Sequence, residues 1–212
     1  MLIRSKYILN SETINKLFSS KLFIFLVSFL ITSSWVFLIS NYNLDKGVDF
    51  TDSTLTYHYS LRVLNGDIPY KDFHLFVMPL AIYVEAFFHK LFGENFSINS
   101  YLALFNAFVQ TYLLYLIFFL FSRSFSKSIL ISLFIISLVG TFQGTLHFSF
   151  TPLAITISYA SIYFALLSAE NKKYLFVTGI LISLTFLAKQ NFGLSLLLGY
   201  FLYSFLIYLF FN

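Results

Sequence analysis

The sequence holds no cysteine. That absence excludes disulfides, thiolate nucleophiles and cysteine-ligated zinc, and it is compatible with either redox compartment. Charge is nearly as scarce. Asp, Glu, Lys and Arg make up 10% of the 212 residues, against about 25% in soluble domains, and the shortfall points to lipid as the solvent. The long apolar runs carry essentially no acid or base at their centres. A transport pathway would place charged or broken-helix features near the bilayer midplane. No internal repeat is visible, so the signature of a transporter built from inverted halves is missing too. The basic residues behind the net charge of +4 are scattered beside apolar segments. They indicate topology rather than nucleic-acid binding.

What is abundant is apolar and aromatic. Hydrophobic residues make up 58% of the chain, with 30 Phe, 15 Tyr and a mean hydropathy of +0.82. So many rings exceed the needs of one packed core, but lipid-facing helices and interfacial belts accommodate them. A bilayer core requires about 20 mostly apolar residues per helix. Runs of that kind cover 22–40, 98–121, 129–148, 152–169, 175–188 and 192–211. The fifth is the weakest, cut short by Lys189, Gln190 and Asn191. The first follows Arg4, Lys6, Lys16 and Lys21 but is long and lacks a small-x-small cleavage pattern, so it reads as an uncleaved helix. The expected fold is therefore all-α and integral to the membrane. About six transmembrane helices form a single domain over 1–212, with a cytoplasmic tail at 1–21.

Loop charges orient the bundle. With the N-terminus inside, the inner side holds Arg4, Lys6, Lys16, Lys21, Arg123, Lys127, Lys172 and Lys173 against Glu12 and Glu170. The 41–96 loop then falls outside, with Lys46, Arg62, Lys71 and Lys90 against Asp45, Asp49, Asp52, Asp67, Asp72, Glu85 and Glu94. This is the positive-inside pattern, with a cytoplasmic N-terminus. Thr151-Pro152 reads as an N-cap followed by a first-turn proline. Gly140 and Gly144 form a small-x-x-x-small pair for close helix packing.

The 41–96 loop is long, rich in aromatic and aliphatic residues, and holds most of the acids. It predicts two short helices. Asp52 is a good N-cap, and Leu55, Tyr59 and Val63 then make one apolar stripe, with His58 and Arg62 on its flank. Asn65-Gly66 supplies a stop. The second piece runs from Pro79 to Phe92, ends at Gly93 and carries Glu85, His89 and Lys90; it is expected to lie along the outer interface.

These residues carry a resemblance. The order Asp52-x4-Tyr57-x4-Arg62-x-Leu64-x-Gly66-x2-Pro69-Tyr70-x-Asp72-Phe73, then Pro79-Leu80-x2-Tyr83 and Leu91-Phe92-Gly93, resembles the first outer loop of the polytopic GT-C glycosyltransferases. The mannosyltransferase-like and aminoarabinose-transferase enzymes belong to this group, and they use polyprenyl-phosphate sugars. Lys189-Gln190-Asn191-Phe192-Gly193 is similar to a stretch of bacterial members. The resemblance covers roughly 22–193 and is most informative over 49–93. It implies a membrane transferase with its site at the outer face, a bacterial plasma-membrane location and a polyprenyl-phosphate-linked sugar as partner. Family members are usually longer, so it implies the N-terminal part of such an enzyme. Where the family often shows an adjacent acidic pair, this chain has Asp52-Ser53.

By that resemblance Asp52 is the catalytic base, with Asp49 the nearby contender. A carboxylate that takes the acceptor's proton as it attacks the anomeric carbon contributes a factor of about 10² to 10⁴. A cation beside the departing lipid phosphate lowers the barrier further. Arg62, Lys189 and His58 are the candidates for that role, and Tyr70 and Asp72 for lining the pocket. Duller roles stand beside these: Asp52 as a cap, Arg62 paired with Asp67, and Lys189 snorkelling from a helix end. His147, with Gln143 one turn earlier, reads as a hydrogen-bonding interface residue. Asp49, Asp52 and His58 would suit a divalent cation such as Mg²⁺ or Mn²⁺, but so common a spacing assigns none. Two other classes stay open. One is a non-catalytic or truncated membrane subunit acting with a partner membrane chain; the other is a lipid-linked-sugar flippase. Phosphoryl-transfer chemistry ranks lower, because no single loop shows the cluster of His, Arg and Asp typical of it.

Overall fold

The computed structural model describes residues 21–44, 52–142 and 148–211. Among them are eight α-helices and no strand. In chain order they are α1 (Lys21–Leu44), α2 (Asp52–Leu64), α3 (Leu80–Phe92), α4 (Ser97–Ser122), α5 (Phe125–Phe142), α6 (Phe150–Leu167), α7 (Lys173–Ala188) and α8 (Gln190–Phe211). The expected all-helical fold is therefore observed. α4 and α6 are long and apolar enough to cross a membrane, and shorter apolar stretches lie in α1, α5 and α7.

α4 is the hub of the longer helices, with α1, α5 and α6 against it. α6 carries the packing on to α7 and α8. α4 and α6 run parallel: Asn99 meets Phe148 and, further along both helices, Asn106 meets Thr156. The 123–124 and 168–172 connections therefore share one end of the bundle, where Arg123, Lys127, Lys172 and Lys173 are exposed. α2 and α3 pack on each other as a cap over the opposite end, with α3 seated on α4, α6 and α7.

Polarity is inverted relative to a water-soluble bundle. Ser28, Thr32, Ser128, Ser132, Thr156, Ser158, Ser161, Thr178 and Thr185 are buried, while Leu30, Phe105, Leu130, Phe134, Phe176 and Phe201 are largely exposed. Most of the buried hydroxyls donate to a carbonyl one turn back, as Thr32 does to Ser28 at 2.8 Å and Thr185 to Leu181 at 2.8 Å. A hydroxyl satisfied in this way brings no unpaired group into the interface and allows close helix approach.

Local stops behave as the sequence predicts. Gly66, at φ +98°, ends α2: Asp67 N–H donates to Arg62 C=O and Gly66 N–H to Val63 C=O. This left-handed closure suits glycine. Gly93, at φ +90°, ends α3.

Three expectations are corrected. Phe148, the last residue of the apolar run at 129–148, is not helical: α5 is described as far as Phe142, and Phe148 lies buried just before α6. The cap of α6 is at Ser149 rather than Thr151, with Pro152 still in the first turn, where no N–H is needed. On α2 the most deeply buried face is Ser53, Thr56 and Ser60 rather than the Leu55–Tyr59–Val63 stripe. Small side chains let α2 approach α3 closely, and Tyr59 and Val63 still pack beside the Phe73–Leu75–Ile82 cluster. Gly144, Gln143 and His147 lie outside the described residues.

Lys189 alone separates α7 from α8, with an extended backbone at φ −155°, ψ 115°. The turn is so tight that a Cβ on Gly193 would sit 2.5 Å from the Cα of Phe186, whereas one on Gly179 meets nothing. Gly193→Ala is expected to destabilise the chain by about 1–3 kcal/mol through overpacking. Thermal unfolding in detergent checks this, with Gly179→Ala as the unshifted control.

Candidate functional site

The capped end gathers most of the described acidic side chains. Its turn at 66–73 is closed by its own residues. Arg62 Nε donates to Asp67 Oδ2 at 2.7 Å, a terminal nitrogen of the same guanidinium donates to Asp72 C=O at 3.2 Å, and the group lies 4.5 Å over the Phe73 ring. Asp72 Oδ2 accepts from Ile68 N–H at 2.8 Å. Tyr70 adopts a left-handed backbone, φ +68°, unusual for a bulky residue. Its hydroxyl donates to Val77 C=O at 2.6 Å.

The predicted site residues thus separate into groups. Arg62, Tyr70 and Asp72 come together in one turn, and Arg62 takes the structural partner anticipated for it, Asp67. His58 is exposed on α2, with its ring 5.8 Å from that of Tyr59. Asp52 opens α2 and is half-buried. Among the described residues its carboxylate takes no hydrogen bond and no ion pair, and only its backbone C=O is engaged, by Thr56. Lys189 Nζ donates to Thr151 Oγ1 at 2.6 Å and lies within 6 Å of the Phe150 and Phe192 rings. It occupies the capped end but is held by α6, apart from the 66–73 turn. Asp49 lies outside the described residues. Among those described, no three His, Asp or Glu side chains converge to hold a metal ion.

The polar cluster that the sequence reading missed is beneath the cap. α3 does not present Glu85 and His89 to an interface. Both point inward, 0% and 1% exposed, and the helix leaves Tyr83, Phe87, Leu91 and Phe92 outside instead. Glu85 Oε1 accepts from Asn99 Nδ2 at 3.0 Å. The same Nδ2 donates to Phe148 C=O at 3.0 Å, and Asn99 Oδ1 accepts from Phe148 N–H at 3.2 Å. One asparagine thereby joins α3, α4 and the entry to α6. Burial pushes the Glu85 carboxyl up to about 7, and the Asn99 hydrogen bond only partly opposes it. The usable signal was the four-residue spacing of Glu85 and His89 on the face shared with Ala81, Ile82 and Ala86, small enough for close packing. No family model, curated protein or solved structure matches the chain.

Asn99→Ala leaves Glu85 and both backbone groups of Phe148 without their partner. Each buried group left unpaired costs about 1–3 kcal/mol. Asn99→Ala is therefore expected to lower the unfolding midpoint well below that of His58→Ala, which alters an exposed side chain. Calorimetry or detergent thermal shift on the pair checks the contrast.

Proposed function

We propose that this chain is a multi-pass membrane protein of six spans and that it transfers a sugar at its capped end. The donor is a polyprenyl-phosphate-linked sugar, the acceptor carries a hydroxyl, and Asp52 is the general base. The inverted polarity of the bundle supports embedding in lipid, since packing by buried hydroxyls with aromatics outside suits a hydrocarbon solvent. The exposed cations at the uncapped end support a cytoplasmic assignment for it. The single observation carrying the catalytic assignment is the Asp52 carboxylate, half-buried and without a hydrogen bond or ion pair among the described residues, whereas Asp67 and Asp72 are engaged. The resemblance of the 49–93 segment to polytopic glycosyltransferases supplies the reaction class.

In this reading Asp52 removes the acceptor's proton as its oxygen attacks the anomeric carbon. The bond from that carbon to the phosphate oxygen breaks, and the anomeric configuration inverts. Negative charge grows on the departing lipid phosphate, and Lys189 stands at the same end with donors to spare. Asp52→Asn is expected to reduce transfer by about 10² to 10⁴-fold while membrane insertion is retained. Radiolabelled sugar transfer in vesicles measures it, and undiminished turnover would remove Asp52 from the role.

A second reading, a non-catalytic membrane subunit working with a partner chain, is favoured by one observation. Arg62, Tyr70 and Asp72 spend their polar groups on the loop's own backbone and on Asp67. Undetectable transfer by the wild-type chain alone, restored by a co-purifying membrane partner, would select it.

Topology is testable directly, because the chain has no cysteine to mutate away. Single cysteines at His74 and at Lys172 are expected to react with an impermeant maleimide from opposite faces of oriented vesicles. Labelling of both from one face would contradict the membrane orientation.

A further inference from the structure

Glu85 and His89 stand four residues apart on the inward face of α3, closed from solvent. The nearest approach of the two groups, Glu85 Oε1 to His89 Nε2, is 3.7 Å. Glu85 Oε2 and His89 Nε2 take no hydrogen bond among the described residues. On the other side of the ring, Nδ1 lies 3.4 Å from Gly93 C=O. A carbonyl only accepts, so Nδ1 carries the hydrogen, and in the neutral ring Nε2 turns a lone pair toward the carboxyl group. Two acceptors then face each other in a dry site, which is unfavourable unless a proton lies between them.

Among the described residues the surroundings offer no substitute cation. From α2, the Tyr57 ring meets His89 edge-on at 5.3 Å, while Arg62 is committed to Asp67 and His58 is exposed. From α4 comes only the neutral Asn99 amide. The start of α6 brings Ser149 and Thr151, and at the end of α7 Lys189 donates to Thr151. On α3 itself, Tyr83 and Lys90 point outward.

We propose that Glu85 and His89 form a buried proton-binding site, and that one proton held between them docks the α2–α3 cap onto the bundle. With the proton bound, the Glu85 O–H donates to His89 Nε2 while Glu85 also accepts from Asn99. When it leaves for bulk water, a carboxylate remains facing a lone pair, with Asn99 as its only donor. The cap then separates from the Asn99 clamp. This follows from geometry at the cap and is independent of the transferase reading.

The direction with pH follows from linkage. The docked Glu85 carboxyl sits at about 7, above its ordinary value of 4.5. Stability from the Glu85 carboxyl alone is therefore complete below the ordinary value and lost as pH rises through about 7. The opened cap exposes an imidazole, whose ordinary value of about 6.5 lets it take up the same proton. Hydrogen–deuterium exchange of α3 amides, in the full chain in lipid nanodiscs, reads the docking. After correction for intrinsic rates, the wild-type opening constant is expected to change by only about twofold between about pH 5 and pH 8. Glu85→Gln keeps an acceptor for Asn99 and holds no titrating proton when docked, so its opening constant should fall about thirtyfold over this range. A wild-type profile that falls as steeply as that of Glu85→Gln overturns the proposal.

Should Glu85→Gln fail to fold, infrared spectroscopy of the ¹³C-glutamate-labelled wild type decides. A protonated-carboxyl band at about pH 6 that vanishes above about pH 8 is expected, and absence of the band at the lower pH overturns the proposal. In His89→Leu the band should move to higher frequency as the O–H loses its acceptor. An unmoved band removes His89 from the site.

Discussion

Asn99 has one donor group and one acceptor, and it spends both across element boundaries. Its amide nitrogen serves Glu85 of the cap and the Phe148 carbonyl, and its oxygen receives the Phe148 N–H. Phe148 has no helical partner for these groups, since it stands between α5 and α6. Buried backbone must pair somewhere, and here one side chain supplies both bonds. The entry to α6 is thereby set, and with it Thr151, which receives the Lys189 ammonium. Lys189 in turn is the single residue that breaks α7 from α8. The cap, the hub helix and the last hairpin share one chain of polar contacts beginning at Asn99.

The remainder of the bundle combines small hydroxylated faces with ring contacts such as Phe29 on Phe108 and Tyr115 on Phe125. Hydrogen bonds between the longer helices include Trp35 to Ser137, Thr156 to Asn106, Gln110 to Pro152 C=O and the Ser161–Tyr200 hydroxyl pair. Each fixes register at one level, while back-bonded serines and threonines make the close approach. α3 follows the same inverted logic on a smaller scale. Glu85 and His89 are covered and its aromatic row is left outside, the reverse of an amphipathic helix in water.

How far the sequence discloses this structure depends on whether a feature is local. Gly66 and Gly93 stop their helices because only the backbone at those positions decides it, and both stops are readable from sequence. The break at Lys189-Gln190-Asn191 is visible for the same reason. The non-helical backbone at Phe148 is not, because an apolar run looks equally helical whether or not its last residue turns to meet an asparagine on another element. Burial of Glu85 and His89 is hidden for a further reason. Ala81, Ile82 and Ala86 line one side of α3 and Tyr83, Phe87 and Leu91 the other, so periodicity names two apolar faces and does not choose between them. Tertiary packing chooses the side with the smaller residues. Arg62 illustrates the converse case, where proximity in sequence to Asp67 already identifies its partner.

The candidate site itself emerges by subtraction. Among the described acids at the capped end, Asp67 is bound by Arg62, Asp72 by the Ile68 N–H, and Glu85 by Asn99. Glu94 is exposed, where water sets its behaviour. Asp52 is left, half-buried at the start of α2, without a partner to relinquish before it accepts a proton. On the cationic side, Arg62 is spent in the loop, whereas Lys189 has used one of its three donors. Under the proposed transfer reaction, Asp52 and Lys189 are thus the groups left for proton removal and for stabilising a departing phosphate. The engaged acids and the arginine have a different task, holding the turn that follows α2 closed on itself.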